Sequence, residues 1–390
     1  MTKDTTKIAV STNRIRLGMV GGGQGAFIGA VHRIAARMDN RYQLLAGALA
    51  SDPQRAVDSA MELGIDPARA YPDYNKMLDH ESNIDDGIEV VSIVTPNHMH
   101  FPVAKAFVNA GIHVICDKPL VTRSKDATDL QKAVQKKGVL FAVTYNYSGY
   151  PMVRQARDLV RSGELGSIRV VQVEYPQDWL STALEETGQK QAAWRTDPSM
   201  AGPGGCVGDI GTHAFQLAGF ISNLEVESLS ADLYSFVEGR KLDDNVQVML
   251  RFENNARGML WASQVAPGNE NALRIRIYGE KGGLEWSQED PNYLWYTPLG
   301  HPKQLITRAG SGAGEAAADV SRIPAGHPEG YLEGFANIYS EFADAVIAHR
   351  TSKKPISNTN YPGLADGING VKFIEATIKS SRLNGKWIKL

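Results

Sequence analysis

The stretch "VGGGQGAFIGAVHR" (20–33) decides how the first third of the chain is read. It follows an apolar run, "IRLGMV" (15–20), and leads into an amphipathic segment. Glycines at such a turn let the backbone approach a pyrophosphate, and the N-terminus of the next helix favours its charge. The usual G-x-G-x-x-G spacing uses Gly21 and Gly23 and then meets Ala26; an alternative places the third glycine at Gly29. Gly21, Gly23, Gln24, Gly25, Ala26, Phe27 and Ile28 are therefore the expected dinucleotide contacts of this turn.

Working outward, "QLLAGALA" (43–50), "VVSIVT" (90–95), "HVICD" (113–117) and "LFAVTY" (140–145) are short apolar runs separated by helical patterns. They read as buried strands of a parallel sheet, hence a doubly wound α/β unit. The helix predicted over "SDPQRAVDSAMELG" (51–64) has Ser51 as its N-cap and Gly64 as its stop. An acid at the end of the second strand would hold the ribose 2′-hydroxyl of NAD, but Ala50 and Ser51 stand there. Asp52 follows as a first-turn helix residue. A small residue at Ser51 with Arg55 nearby can also accept the 2′-phosphate of NADP. NAD is the expected cofactor, with NADP left open.

From about residue 148 the pattern changes. "IRVVQVEY", "VESLSADLYSFV", "NVQVMLRFEN", "ARGMLWASQVA" and "LRIRIYGEKGGLEWS" are longer, often alternating strands, with "ENNARG" as a hairpin turn. Strand following strand indicates a mostly antiparallel sheet. The fold class is thus an N-terminal Rossmann-type doubly wound α/β sheet plus a C-terminal α+β domain with a large open sheet. The expected divisions are a polar tail (1–13), a dinucleotide-binding domain (14–147) and a second, α+β domain (148–390). "GYLEGFANIYSEFADAVIAHR" (330–350) is an amphipathic helix whose aromatics read as core, and "ADGINGVKFIEATIKSSR" is a last helix that can pack back on the first domain.

Bulk properties exclude several classes. The 390 residues carry a formal net charge of −2 with no basic block, which argues against nucleic acid and anionic membrane surfaces. Cys116 and Cys206 form no CxxC pair, so neither a disulfide framework nor a structural zinc is expected, and a reducing cytoplasm is. "MTKDTTKIAVSTNR" has no apolar signal region, and no run reaches the roughly 18 apolar residues of a membrane helix. His98 and His100 lack companion ligands, so no metal is expected.

Two further stretches carry chemistry. "GGCVGDIGTHAFQLAGF" (204–220) sets Asp209 and His213 four apart on one face of an otherwise apolar helix. "TPNHMHFPVAKAFVNAGIHVICDKPL" (95–120) ends a parallel strand at Lys118, where ligands bind in open α/β sheets. An amine there lowers the pKa of a substrate hydroxyl and stabilises the alkoxide formed as hydride leaves. With the glycine turn, "TPNHMH" (95–100), "GIHVICDKP" (111–119) and "GDIGTH" (208–213) resemble the glucose–fructose oxidoreductase, inositol dehydrogenase and rhizopine-catabolism family, Gfo/Idh/MocA. The family's common Glu-Lys-Pro is Asp117-Lys118-Pro119 here.

The resemblance implies a cofactor wall of Thr95, Pro96, Asn97, His100, Asp117 and Lys118, with His100 serving also as a helix-start residue. It implies His213 as general acid/base, Lys118 as its partner on the hydroxyl, and Asp209 holding a neighbouring hydroxyl and biasing the imidazole. A homodimer or homotetramer through the open sheet is expected on the same ground. Tyr145, Tyr147, Asp178, Trp179, Arg195 and His327 are candidate substrate contacts at strand ends and loops. The leading expectation is an NAD(P)-dependent oxidoreductase moving hydride at a secondary hydroxyl of a sugar, inositol or glycoside. A redox-neutral NAD-dependent glycosidase is the alternative, working by oxidation, elimination, hydration and reduction. It would use Tyr145 or Tyr147 as an extra base and could give Arg195 an anionic glycoside. A non-catalytic sugar or nucleotide sensor is the third reading.

Overall fold

The computed structural model describes residues 14–352 and 359–390, so the expected tail at 1–13 lies outside the described residues. Five parallel strands, β1 (Ile15–Gly21), β2 (Tyr42–Ala48), β3 (Val90–Val94), β4 (His113–Cys116) and β5 (Phe141–Val143), form a sheet in the order β2-β1-β3-β4-β5. Every residue of β3 is buried, as a strand covered on both faces must be. Strand order reverses beside β1, which opens a crevice at the carboxyl ends of β1 and β3.

The second sheet has nine strands: β6 (Ile168–Pro176), β7 (Val226–Tyr234), β8 (Asn245–Phe252), β9 (Arg257–Ser263), β10 (Arg274–Gly279), β11 (Gly282–Ser287), β12 (Tyr293–Pro298), β13 (Gln304–Thr307) and β14 (Ile388–Lys389). Their order is β13-β12-β11-β10-β6-β9-β8-β7-β14, antiparallel except for the β6–β9 pair. The single strand read over 273–287 is in fact the hairpin β10–β11, turned at Glu280-Lys281.

Alternation gives this sheet two unlike faces. One packs on helices Pro151–Arg161, Thr212–Ser222 and Leu364–Arg382 through Val173, Leu217, Val248, Leu260 and Phe373. The other exposes Met249, Met259, Tyr278, Tyr293, Trp295 and Leu305. Met249 lies opposite Met259 across β8 and β9, so these residues share one open surface.

Two C-terminal helices return to the first sheet, where only the last was expected to. Helix Tyr331–Ser352 sets Phe335, Tyr339, Phe342 and Val346 against Ile15, Leu17, Val31 and Ala35. Its Phe335, Tyr339 and Phe342 are core, as their spacing implies. Helix Leu364–Arg382 joins both regions, with Val371 in the core beside β4 and β5 and Phe373 in that of the large sheet.

Candidate active site

A cavity of about 1340 Å³ runs from the glycine turn after β1 to the helix carrying His213. At its nucleotide end, Gly21 and Gly22 adopt φ of +82° and +77°, a region that disfavours side chains. A Cβ on Gly29 would lie 2.2 Å from the Gly22 carbonyl oxygen, so Gly29 is the glycine that lets helix Phe27–Met38 pack on the turn. Ala26, at the N-cap of that helix, supplies no side-chain cap, and no acid stands in the first turn. Uncapped N–H groups beside a cradle that a Cβ would fill fit the pyrophosphate of a dinucleotide.

Gly21, Gly23, Gln24, Ala26, Phe27, Ile28, Ser51, Arg55, Thr95, Pro96, Asn97, Asp117 and Lys118 all line this cavity, and Gly22 joins them. Ser51 is not the N-cap expected of it. Helix Pro53–Glu62 is capped by Asp52, whose Oδ1 accepts from Arg55 N at 2.8 Å, so Asp52 is the cap rather than a first-turn residue.

At the other end the chain widens into one π-helical turn, Val207–Gly211, before the α-helix Thr212–Ser222. Such turns recur at functional sites. No side chain of its own caps this turn; the carboxylate of Asp243 does so, accepting from Gly205 N at 2.7 Å and Val207 N at 2.8 Å. Burial pushes the Asp243 carboxyl up to about 6 against those hydrogen bonds.

The turn delivers Asp209 to Lys118. Lys118 Nζ donates to the Asp209 carbonyl at 2.6 Å and to its Oδ1 at 2.9 Å. Asp209 Oδ2 accepts from Gln264 Nε2 at 2.9 Å and pairs with Arg195 Nε at 3.2 Å. Burial opposes ionisation of Asp209, but the charges of Lys118 and Arg195 overcome it and hold the carboxyl well below its usual range. Asp117 Oδ1 accepts from Lys118 N at 2.8 Å and Thr144 Oγ1 at 2.9 Å, fixing the backbone that carries the lysine.

His213 is 7% exposed on the cavity wall, packed edge-on against Tyr147 at 4.9 Å and Tyr175 at 6.4 Å between ring centres. Burial first, and then the charge of Lys118, pushes its pKa well below the ordinary histidine value, so the imidazole is neutral near pH 7. Its Nδ1 is buried without a hydrogen-bond partner. Asp209 spends its carboxylate on Lys118, Arg195 and Gln264, so it acts on the imidazole through its charge rather than through a hydrogen bond.

Tyr147, Trp179 and Arg195 also line the cavity, Arg195 lying over Trp194 at 4.3 Å and donating to Gln191 Oε1 at 2.6 Å. Five expected contacts are placed elsewhere. Gly25 is exposed at the tip of the turn with φ +74°, off the cavity wall. His100 is a buried clamp with Nδ1 2.7 Å from the Pro119 carbonyl and Nε2 3.0 Å from that of Thr95; it supports the cofactor wall from behind. The Tyr145 hydroxyl is turned to Thr212 Oγ1 at 2.9 Å, leaving only its ring against His213. Asp178 is off the wall, its Oδ2 accepting from Gly268 N at 3.4 Å. His327 is exposed, and its carbonyl serves Arg308. His98 lines the cavity, and no cluster of metal-ligating side chains exists among the described residues.

Sequence reading missed Tyr175, Gln177, Gln264 and Asn271. The hydroxyls of Tyr147 and Tyr175 bond to one another, and Tyr175 continues to Asn271 Oδ1 at 2.8 Å. Tyr175 and Gln177 bracket Pro176 at the end of β6, just before Asp178. Gln264 and Asn271 sit in polar loop segments with no motif to mark them.

A dinucleotide cradle facing a lysine–aspartate–histidine group defines a nicotinamide-dependent oxidoreductase. Residues 15–145 match the oxidoreductase family with an NAD-binding Rossmann fold, and residues 153–285 match the Gfo/Idh/MocA C-terminal domain. An oxidoreductase from Sinorhizobium meliloti is 56% identical, with a TM-score of 0.88 over 97% of this chain and 100% of that one. An inositol dehydrogenase homologue from Azotobacter vinelandii, solved with NADH and myo-inositol, is 35% identical, with a TM-score of 0.92 over 97% of this chain and 98% of that one. Levoglucosan dehydrogenase of Pseudarthrobacter phenanthrenivorans is 31% identical over 70% of this chain and 74% of its own. The chain belongs to the Gfo/Idh/MocA family. It is an NAD(P)-binding oxidoreductase of the sugar and inositol dehydrogenase type. Among the described residues no helix is long and apolar enough to cross a membrane.

Proposed function

We propose that the protein oxidises a secondary carbinol of an inositol-like or sugar-like polyol, reversibly, with Lys118 and His213 managing the hydroxyl proton. The observation that carries this reading is the meeting of Lys118 Nζ, the ionised Asp209 and a neutral His213 on one wall of the cavity whose other end is the glycine cradle. A bound nicotinamide supplies a hydride acceptor at C4. Two of the three Lys118 ammonium protons are engaged by Asp209, which leaves the third for the substrate oxygen. That donor stabilises the developing alkoxide, and His213 takes the hydroxyl proton. The carbinol thus loses a hydride and a proton and becomes a ketone; in reverse, the imidazolium returns the proton.

The family relatives act on or bind inositol and levoglucosan, and a polyol suits the hydroxyl and amide lining of Tyr147, Tyr175, Asn271 and Gln177 here. The glycosidase route is weakened because the Tyr145 hydroxyl is committed to Thr212. Burial also pushes the Tyr147 hydroxyl up, away from the range of a useful base. A sensor has no need of the proton-handling group. The exposed face bearing Met249, Met259, Tyr278 and Trp295 supports a homodimer or homotetramer through the large sheet. Two free, buried cysteines, Cys116 and Cys206, fit a cytoplasmic protein.

The test is incubation with NAD+ or NADP+ and a panel of inositols, free sugars and glycosides, following reduced nicotinamide and free aglycone together. Reduced cofactor accumulating with a polyol is the expected result. Aglycone released without reduced cofactor would establish the redox-neutral route instead.

A further inference from the structure

A second cavity, of about 670 Å³, adjoins the reaction cavity. The two share a wall at Glu270, Asn271, Gln288 and Tyr331, and Tyr150 and Glu289 contribute to the second. Tyr150 is 1% exposed, held by its ring against Trp286 and Tyr147 at centre distances of 5.4 and 5.8 Å. Its hydroxyl lies against Gln288 without a well-formed hydrogen bond, and neither Tyr150 Oη nor Gln288 Oε1 has another partner. Leaving a buried polar atom unpaired costs about 1–3 kcal/mol, so two such atoms on one cavity wall point to a ligand that completes them.

The other polar groups define that ligand. Asn271 Oδ1 accepts from Tyr175 at 2.8 Å and Gln177 at 2.5 Å, which fixes the amide and turns its Nδ2 into a donor where the two cavities meet. Glu289 Oε1 accepts from Asn271 N at 3.0 Å and retains a second oxygen as acceptor. Glu270 and Glu289 are the charged side chains lining the second cavity, and no Lys, Arg or His is among its lining residues, so a phosphate or carboxylate is disfavoured there. Fixed donors, acceptors and the ring of Tyr331 suit a neutral ring bearing several hydroxyls.

We propose that the second cavity is a subsite for a neutral glycosyl unit, so that the preferred substrate is a glycoside of the oxidised polyol rather than the free ring. The proposal rests on the polyol dehydrogenase reading for the position of the reacting ring. The glycosyl unit extends past Asn271, with its hydroxyls on Tyr150 Oη, Gln288 Oε1 and Glu289.

The test compares ligands in pairs, myo-inositol with its α-galactoside and sorbitol with lactitol, for binding to the protein–NADH complex and for turnover with NAD+. The glycosylated member of at least one pair should bind about tenfold more tightly. Tyr150→Phe removes only an atom without a partner, so folding is preserved and a melting curve verifies it. This variant should weaken the glycoside about three- to tenfold and leave the single ring unchanged. Glu289→Gln, which keeps the oxygen that accepts from Asn271, should weaken the glycoside less.

Equal binding of both members of each pair overturns the subsite, as does a Tyr150→Phe effect of the same size on both. A glucuronide bound more tightly than the matching glucoside overturns its assignment to neutral units. Absence of turnover with every polyol would instead defeat the dehydrogenase reading, while the binding pairs would still decide the subsite.

Discussion

The two ends of the central cavity are built in opposite ways. The nucleotide end is made of what is missing: no Cβ at Gly21, Gly22 and Gly29, no cap on helix Phe27–Met38, and backbone pressed against backbone. The reaction end is made of side chains that satisfy one another, with Asp209 held by Lys118, Arg195 and Gln264 and supported by Asp243 beneath the π-turn. The first design accommodates a ligand by leaving room, and a single added methyl group can damage it. The second sets protonation states, and it fails when one member of the network is removed.

The sharpest test of the contrast is therefore at the reaction end. His213→Ala should lower kcat by roughly 10²–10⁴-fold, the usual worth of a positioned acid/base group, while NADH still binds with its wild-type affinity. Wild-type enzyme should carry the matching pH signature. Oxidation needs neutral His213, and burial places its pKa below the unfolded value of 6.5. kcat/KM should then be independent of this group above pH 6.5 and fall only as the pH drops toward the depressed value. A limb at or above 6.5 that is absent from His213→Ala would overturn the depressed pKa, and a low-pH limb that persists unchanged in His213→Ala would remove the general-base role. Equal losses of NADH affinity and turnover would dissolve the distinction between the two ends.

A smaller effect is expected where the nucleotide end is filled. On Gly29 a Cβ would sit 2.2 Å from the Gly22 carbonyl oxygen and 2.4 Å from its Cα, both backbone atoms that cannot swing aside. Gly29→Ala must shift the turn, at a cost of about 1–3 kcal/mol for such overpacking. NADH affinity, followed by fluorescence titration, should fall about tenfold or more, with kcat at saturating cofactor little changed. Unchanged affinity would mean that the turn relaxes freely and that the spacing ending at Ala26 is the operative one.

The same contrast explains how far sequence alone could be read. The parallel sheet, the turn and the helices are local patterns of periodicity and glycine, so β1 to β5 lie within a few residues of the apolar runs that announce them. Lys118, Asp209 and His213 were visible because each sits in a short motif. Their pairings were not: Arg195 was legible only as a substrate contact, and Arg195, Gln264 and Asp243 lie on separate elements that only the folded chain brings to one turn. Tyr145 and Tyr147 show the limit at close range. They are two apart, which in a strand would give them a common face, but β5 ends at Val143 and a 3₁₀ turn spans Asn146–Gly149. Tyr145 accordingly meets Thr212, while Tyr147 meets Tyr175 in the cavity.

The mildest prediction concerns the adenosine side, where neither design dominates. Ser51 and Arg55 line the cavity where an acid would otherwise hold the ribose, and the nearby Asp52 carboxylate is occupied with the Arg55 backbone N–H. The exposed Arg55 guanidinium is free to meet a 2′-phosphate, but an exposed ion pair is worth only about 1 kcal/mol or less. Arg55→Ala should therefore lower kcat/KM with NADP+ by about fivefold at most and leave that with NAD+ unchanged. Ser51→Asp should act in the same sense by repelling the phosphate while offering the NAD ribose an acceptor. If Arg55→Ala weakens both cofactors alike, the arginine serves the shared pyrophosphate. The nucleotide end would then depend on a side chain after all, and its contrast with the reaction end would narrow.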